Sequence, residues 1–224
     1  MTLPIDTRPK HPAPFRDDHI QVAREMLDGR GVQTILDPFA GTGKVHDLRR
    51  YGFETYGVEK EPEWATQSEF SVVGNTLELS VVLASSGLPQ TFDACVTSPS
   101  FGNRMADHFD SKDGSRRHTY RHYLGRPIEG ESSAVLQWGK GYRVFHQRAW
   151  EKVTEHVSRF FILNIKDHIR AGEVQPVTQW HIAVLENLGW RTVEHRRIDA
   201  PGQRHGENHL LRVPDESMIL FGRK

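Results

Sequence analysis

The chain has a single cysteine among its 224 residues, Cys95, and this scarcity excludes an internal disulfide framework. Long apolar runs are also missing, since no stretch approaches the ~18 residues that a membrane-spanning helix requires. The first residues lack the basic-then-apolar order of a secretory signal. We therefore expect a cytoplasmic protein without a membrane partner. The formal net charge is +0, so binding of a polyanion would require a local basic patch.

Short apolar runs alternate with helical periodicities along most of the chain. We predict helices over 17–29, 43–51, 62–70, 144–157 and 177–188, and strands over 34–37, 55–59, 92–97, 159–166, 190–198 and 217–221. This alternation predicts an α/β fold with a parallel sheet and helices on its faces. The length fits a single domain over 1–224, and the stretch 103–143 predicts an insertion because it lacks a sustained period.

A glycine-rich turn, Asp37-Pro38-Phe39-Ala40-Gly41-Thr42-Gly43, follows the first predicted strand. A strand, a glycine-rich turn and a helix form a general device for binding nucleotide-like ligands. The phosphate-binding loop template fails because Pro38 replaces its first glycine and Val45 its hydroxyl residue. The dinucleotide template fails because His46 stands at its third glycine. The turn therefore predicts a pocket for a ligand without phosphate.

The turn resembles the donor-binding motif of class I S-adenosylmethionine-dependent DNA amino-methyltransferases, the cytosine-N4 and adenine-N6 family. The resemblance implies a Rossmann-like class I methyltransferase fold, with a mostly parallel seven-stranded sheet, a reversed terminal hairpin and a target-recognition insertion at 103–143. It also implies S-adenosylmethionine as cofactor. The residues implied in cofactor binding are Phe15, Asp37, Phe39, Ala40, Gly41, Gly43, Glu59 and Asn75.

Each of these positions has a chemical reason in the implied site. Glycines let the backbone approach the methionine part of the ligand, and Asp37 can attract its ammonium group. Glu59 can accept hydrogen bonds from the ribose hydroxyls, and Asn75 matches a position that faces adenine. Phe15 belongs to a proline-rich arm that resembles the family's cover over the methionine end. In the alternative interpretation, Glu59 is a helix-capping acid and Asn75 a turn residue.

A second loop, Ser98-Pro99-Ser100-Phe101, follows the strand predicted over 92–97. It resembles the family's catalytic loop, in which the first side chain and the first proline's carbonyl engage the amine while the aromatic ring stacks on the base. The resemblance assigns Ser98, Pro99 and Phe101 as catalytic residues. Ser100 departs from the pattern, which has a second proline there. Methyl transfer would be an in-line displacement promoted by positioning; the alternative is a surface turn.

Serine at the first loop position resembles the cytosine-N4 members, so we favour transfer to cytosine N4 of double-stranded DNA. The target base would have to be flipped out of the duplex. The small size suggests a solitary enzyme without a restriction subunit. Transfer to adenine N6, to RNA or to a protein amide remains open, as does a non-catalytic module that binds S-adenosylmethionine or DNA. Cys95 falls inside an apolar strand and predicts a packing thiol.

Basic and aromatic side chains are interleaved after the second loop. Residues 103–148 contain nine basic and five acidic side chains, a local charge of +4. Such a mixture suits phosphate contacts and base stacking. We predict nucleic-acid contacts for Arg104, Arg116, Arg117, Tyr120 and Arg121, and stacking from further aromatics such as Trp138 and Tyr142. The alternative is a solvated excursion whose aromatics pack on the domain. We predict no metal site, since the histidines lack a ligating pattern.

Overall fold

A computed structural model describes residues 10–103, 119–170, 172–200 and 213–224. Its helices are α1 (Asp17–Leu27), α2 (Pro62–Ala65), α3 (Leu79–Ser86), α4 (Tyr120–Leu124), α5 (Lys140–His156) and α6 (Val177–Asn187). Its strands are β1 (Thr34–Asp37), β2 (Glu54–Glu59), β3 (Ser71–Val73), β4 (Phe92–Thr97), β5 (Val157–Ile165), β6 (His168–Arg170), β7 (Glu173–Gln175), β8 (Trp190–Asp199) and β9 (Asp215–Arg223). Short 3₁₀ helices cover Lys44–Tyr51, Thr76–Glu78 and Ser133–Val135.

Seven strands form one sheet in the order β3-β2-β1-β4-β5-β9-β8. The pairs from β3 to β5 are parallel, whereas β9 is antiparallel to both β5 and β8. The predicted mostly parallel, seven-stranded sheet with a reversed terminal hairpin is therefore confirmed. After β1 the chain builds one side of the sheet through β2 and β3, and it then returns to place β4 on the other side. Ligands of open α/β sheets bind at such a switch point.

Strand residues alternate between two cores because successive side chains point to opposite faces of the sheet. Leu36, Cys95 and Phe161 pack in the core beneath α3, α5 and α6. Ile35, Ala94 and Ile162 pack in the other core, beneath α1. Cys95 is fully buried, as the packing interpretation predicts. In the described ranges, no helix is both long and apolar enough to cross a membrane.

The local structure differs from the predictions at several elements. The helix predicted over 43–51 is a 3₁₀ helix, and the one predicted over 62–70 ends at Ala65 as α2. Strand β3 and helix α3 were not predicted, nor was the two-stranded β6–β7 hairpin. Helix α5 begins at Lys140, so the end of the aperiodic stretch is already helical.

The aperiodic stretch contributes to the core of the domain. Tyr142 is fully buried, and Trp138 is 8% exposed. Both pack with Trp180 of α6. Trp138 and Tyr142 therefore pack on the domain, as the alternative interpretation of this stretch predicts. Residues 104–118 of the predicted insertion lie outside the described ranges.

Candidate active site

The carboxyl ends of β1 and β4 are joined by a buried hydrogen bond at the switch point. The Thr97 hydroxyl donates to Asp37 Oδ1 at 2.7 Å, and the Phe39 backbone N–H donates to the same oxygen at 3.0 Å. Both Asp37 and Thr97 are buried. The two loops singled out in the sequence thus start side by side, and Asp37 holds them at a fixed separation.

The glycine-rich loop is tied to the end of β2. The Gly41 N–H donates to Glu59 Oε2 at 2.9 Å, and the Glu61 N–H donates to Glu59 Oε1 at 2.8 Å. Gly41 and Gly43 have φ angles of +53° and +83°, which favour glycine. A Cβ on Gly43 would lie 2.7 Å from Cδ2 of His46, the residue that breaks the dinucleotide template. The loop therefore closes tightly over an imidazole.

Two carboxyl groups at this edge of the sheet have strongly shifted pKa values. Burial raises the pKa of Asp37 to about 7, against the opposing effect of its hydrogen bonds from Thr97 and Phe39. Burial also raises the pKa of Glu59 to about 7, although the N–H groups of Glu61 and Gly41 stabilise its charged form. Near neutral pH, both acids can gain or lose a proton.

A pocket opens between the two loops. Its empty volume is about 590 Å³, which includes space open to solvent. It is lined by His11, Pro38, Phe39, Glu59, Lys60, Glu61, Trp64, Asn75, Thr76, Ser98, Ser100, Tyr120, Ile128, Glu131, Ser132, Ser133, Ala134 and Phe145. Three of these side chains are glutamates and one is a lysine. The Lys60 ammonium donates to the backbone carbonyls of Glu129 and Glu131. Glu61 and Glu131 form ion pairs with arginines, so Glu59 is the lining carboxyl group without a basic partner among the described residues, and its charged form would repel a phosphate.

The second loop, residues 98–103, is anchored at almost every residue. Asn164 of β5 donates to Ser98 Oγ at 3.2 Å, and the Tyr142 hydroxyl donates to the Ser100 carbonyl at 2.8 Å. The His168 ring hydrogen-bonds to the backbone of Phe101. The Trp138 N–H donates to the Gly102 carbonyl at 2.8 Å. These contacts come from β5, α5, β6 and the segment before α5, so several elements of the domain together fix the position of the loop.

Two serines of this loop, Ser98 and Ser100, line the pocket. Ser98 Oγ accepts from Asn164, which leaves the Ser98 proton available to a ligand. Ser100 Oγ is buried and has no hydrogen-bond partner among the described residues. Serine at position 100 thus adds a polar group to the lining that a proline would lack.

The predicted cofactor residues fall into two groups. Phe39, Glu59 and Asn75 line the pocket. Asp37, Ala40, Gly41 and Gly43 form its supporting loop. Asn75 also caps the 3₁₀ helix Thr76–Glu78, because its Oδ1 accepts from the Leu77 N–H at 3.1 Å. Asn75 is therefore both a turn residue and a residue of the pocket wall.

Phe15 does not line the pocket. It packs against His19 and the core beneath α1. The residue of the same arm that lines the pocket is His11, whose ring lies 4.5 Å from that of Trp64 and 5.1 Å from that of Tyr120. Burial lowers the pKa of His11 to about 4, so its ring is neutral.

The remaining predicted residues are placed as follows. Ser98 lines the pocket, Pro99 follows it in the anchored loop, and Phe101 is partly buried against the core beneath α5 and α6. Tyr120 is 8% exposed and lines the pocket, while Arg121 is half-buried on α4. Arg104, Arg116 and Arg117 lie outside the described residues. Nucleic-acid contact by Tyr120 and Arg121 remains a prediction.

Part of the predicted insertion covers the pocket, a role that was not predicted from the sequence. We call residues 119–135 the covering segment, since Tyr120, Ile128 and Ser132 to Ala134 lie on the pocket wall. Arg126 fixes it through ion pairs with Glu61 at 2.7 Å and Glu63 at 2.6 Å. Trp64 packs beneath it with Tyr120 and Ala134. The composition of residues 119–135 does not indicate this role. The sequence feature related to it is the pair of acids after Glu59, Glu61 and Glu63, which bind Arg126.

The similarity of this chain to known proteins is found in its three-dimensional structure. No family model matches the sequence, and no curated protein matches it either. The structure is similar to the N-methyltransferase NodS from Bradyrhizobium japonicum WM9, with 13% identity, coverage of 93% of this chain and 95% of that chain, and a TM-score of 0.55. It is similar to magnesium protoporphyrin IX methyltransferase from Synechocystis PCC 6803 with bound SAH, with 8% identity, coverage of 92% and 82%, and a TM-score of 0.55.

A putative RNA methyltransferase from Pyrococcus horikoshii is also similar, with 13% identity, coverage of 92% of this chain and 81% of that chain, and a TM-score of 0.51. At these identities the comparisons show the fold. The chain has the Rossmann-like fold of S-adenosylmethionine-dependent class I methyltransferases, as the glycine-rich turn predicted.

Proposed function

We propose that this protein is an S-adenosylmethionine-dependent methyltransferase that acts on an exocyclic amine of a DNA base, with cytosine N4 favoured over adenine N6. One observation carries the proposal. A single pocket is lined both by the side chains that the resemblance assigns to the donor, Phe39, Glu59 and Asn75, and by Ser98 of the loop it assigns to the acceptor. Transfer between two bound groups requires such a shared pocket.

The charge of the lining supports this cofactor. S-adenosylmethionine has a sulfonium and an ammonium group but no phosphate. Of the three glutamates that line the pocket, Glu61 and Glu131 form ion pairs with arginines, whereas Glu59 has no basic partner among the described residues. Glu59 offers carboxylate oxygens for the ribose hydroxyls. The Gly41 backbone lies next to His11, so a side chain at position 41 would crowd the arm that closes over the loop. When bound, the cofactor supplies the activated methyl group.

The anchored loop supports an amine acceptor. An exocyclic amine is a weak nucleophile because its lone pair is delocalised into the ring, so the site must hold its nitrogen in place. The Pro99 carbonyl can accept from the amine, while the Ser98 proton, left free by Asn164, can be donated to the adjacent ring nitrogen. As the amine nitrogen gains the methyl group that the cofactor would supply, it would release one proton to water at the open pocket mouth.

Two features favour a nucleic acid as the polymer. The stretch 103–148 has a local charge of +4 in a chain of zero net charge, which suits phosphate contacts. The pocket mouth is bordered by the covering segment, which belongs to the same stretch. A related enzyme acting on RNA would need the same features, and the similar fold of a putative RNA methyltransferase makes RNA the second candidate.

The test is methyl transfer from labelled S-adenosylmethionine to plasmid DNA, tRNA and a protein extract. We expect label in DNA with the wild type, and a rate at least roughly a hundredfold lower with Ser98→Ala. Ser85→Ala, which removes an exposed hydroxyl on α3, is the matched control and should keep the wild-type rate. Label in tRNA alone would select the RNA alternative. Tight cofactor binding without transfer to any polymer would indicate a non-catalytic module.

A further inference from the structure

Three buried side chains form a line of hydrogen bonds that ends at the second loop. The Trp150 Nε1–H donates to His181 Nδ1 at 2.8 Å, His181 Nε2 lies 2.9 Å from the Tyr142 hydroxyl, and that hydroxyl lies 2.8 Å from the Ser100 carbonyl oxygen. All three side chains are fully buried. We call Trp150, His181 and Tyr142 the buried relay.

The relay has one possible direction. An indole N–H can only donate, so His181 Nδ1 must accept, and the proton of this neutral imidazole must then be on Nε2. His181 therefore donates to the Tyr142 oxygen, and the Tyr142 proton is left to donate to the Ser100 carbonyl. Each group orients the next, and every donor points toward the loop. Hydrogen bonds arranged in this way polarise and strengthen one another.

The relay acts on a residue whose backbone is otherwise free to rotate. Pro99 has a fixed φ angle, whereas Ser100 has two free dihedral angles. Ser100 lies between Ser98, which lines the pocket, and Phe101, whose backbone is held by His168. A coupled change in the Pro99 ψ and Ser100 φ angles would turn the Pro99 carbonyl relative to the Ser98 hydroxyl. The Tyr142 hydrogen bond limits that rotation from within the core.

We infer that the buried relay is a positioning device for the acceptor: Tyr142, oriented by His181 and Trp150, fixes the 98–103 loop at Ser100. The inference rests on the proposed function for its effect on methyl transfer. The donor side has its own anchors, the bonds from Thr97 to Asp37 and from Gly41 to Glu59. Loss of the relay should therefore loosen the acceptor groups and leave cofactor binding unchanged.

Tyr142→Phe removes the hydroxyl and keeps the ring, which packs 4.0 Å from the ring of His146. The matched control is Thr154→Val, also on α5, which removes the hydroxyl that accepts from Trp190 Nε1 at 2.9 Å. Tyr142→Phe loses the hydrogen bonds to Ser100 and from His181, Thr154→Val loses the one from Trp190, and both variants should lose some thermal stability. Only Tyr142→Phe breaks a contact with the loop.

Two measurements separate positioning from a merely structural role. By hydrogen exchange, Tyr142→Phe should speed exchange in a peptide covering residues 96–103 roughly tenfold, and leave residues 37–43 unchanged. With plasmid DNA, its kcat should fall roughly tenfold, while KM for DNA and Kd for S-adenosylmethionine stay within about twofold. Thr154→Val should leave both the loop exchange and kcat at the wild-type values.

Loop exchange in Tyr142→Phe equal to that of Thr154→Val would overturn the inference. A wild-type kcat in Tyr142→Phe would overturn it as well. If the wild type binds S-adenosylmethionine but methylates no DNA, the proposed function fails, and loop exchange alone then decides whether the relay fixes the loop.

Discussion

Asp37 and Glu59 are acids in positions where a negative charge is costly. Burial raises the pKa of each to about 7, well above the ordinary values of the two side chains. The folded protein therefore holds these protons more tightly than the unfolded chain does. The free energy of unfolding should fall as the pH rises from about 4 to about 7, and should level off above that range.

Asp37→Asn should reduce this pH dependence. The amide oxygen can still accept from Thr97 and Phe39, but the side chain no longer ionises. We expect the loss of unfolding free energy between about pH 5 and about pH 8 to shrink by on the order of 2 kcal/mol, measured by denaturant unfolding at each pH. Asp28→Asn, an exposed carboxyl, should keep the wild-type slope. An unchanged slope in Asp37→Asn would contradict the account.

Glu59 should make cofactor binding depend on pH. The ionised carboxylate is the form that accepts hydrogen bonds from hydroxyls and attracts a cation, so affinity for S-adenosylmethionine should rise roughly tenfold from about pH 6 to about pH 8. Glu59→Gln should bind more weakly at pH 8 and lose most of this dependence, measured by calorimetry. Glu78→Gln, an exposed acid near the pocket, serves as the control. A pH profile shared by Glu59→Gln and the wild type would show that another group titrates.

Among the elements, the covering segment depends on one arginine. Arg126 bridges Glu61, whose side chain is 7% exposed, and Glu63. Without Arg126, Glu61 would keep a largely buried charge without its partner, which is costly. The Lys60 contacts to the carbonyls of Glu129 and Glu131 and the packing of Trp64 with Tyr120 and Ala134 would then hold the segment near β2.

Arg126→Gln should therefore speed release of S-adenosylmethionine roughly tenfold, as measured by stopped-flow fluorescence. The matched control is Arg148→Gln, because Arg148 pairs with Glu131 at 2.9 Å but both side chains are about half exposed. Exposed pairs contribute little, so its release rate should stay within about twofold of the wild type. Equal rates in the two variants would show that the covering segment does not retain the cofactor.

Elements with strong apolar patterns could be predicted from the sequence. Helix α1 and strands β1 and β4 bury regular faces, and their positions agree with the predictions. Strand β3 has three residues, none fully buried, so its pairing with β2 rather than its composition defines it. Trp138 and Tyr142 belong to a basic, aromatic stretch, but their partner Trp180 is far along the chain. Composition cannot reveal a contact of that range.

In the whole molecule, the switch point between β1 and β4 explains why the site could be foreseen. Two loops at the ends of neighbouring parallel strands must meet at one edge of the sheet, so Phe39 and Ser98 share a pocket. The arm residue His11, the covering segment and the buried relay could not be foreseen. Each reaches the site through tertiary packing from a distant part of the sequence.

The most direct test of the central claim is nucleoside mass spectrometry of DNA from cells that express the protein, compared with cells that express Ser98→Ala. We expect N4-methylcytosine with the wild type, or N6-methyladenine if adenine is the target base. The amount of the methylated nucleoside should be at least roughly a hundredfold lower with Ser98→Ala. Immunoblotting and thermal shift with S-adenosylmethionine would confirm that both proteins are present and folded. Absence of both methylated nucleosides from the wild-type sample would contradict the account.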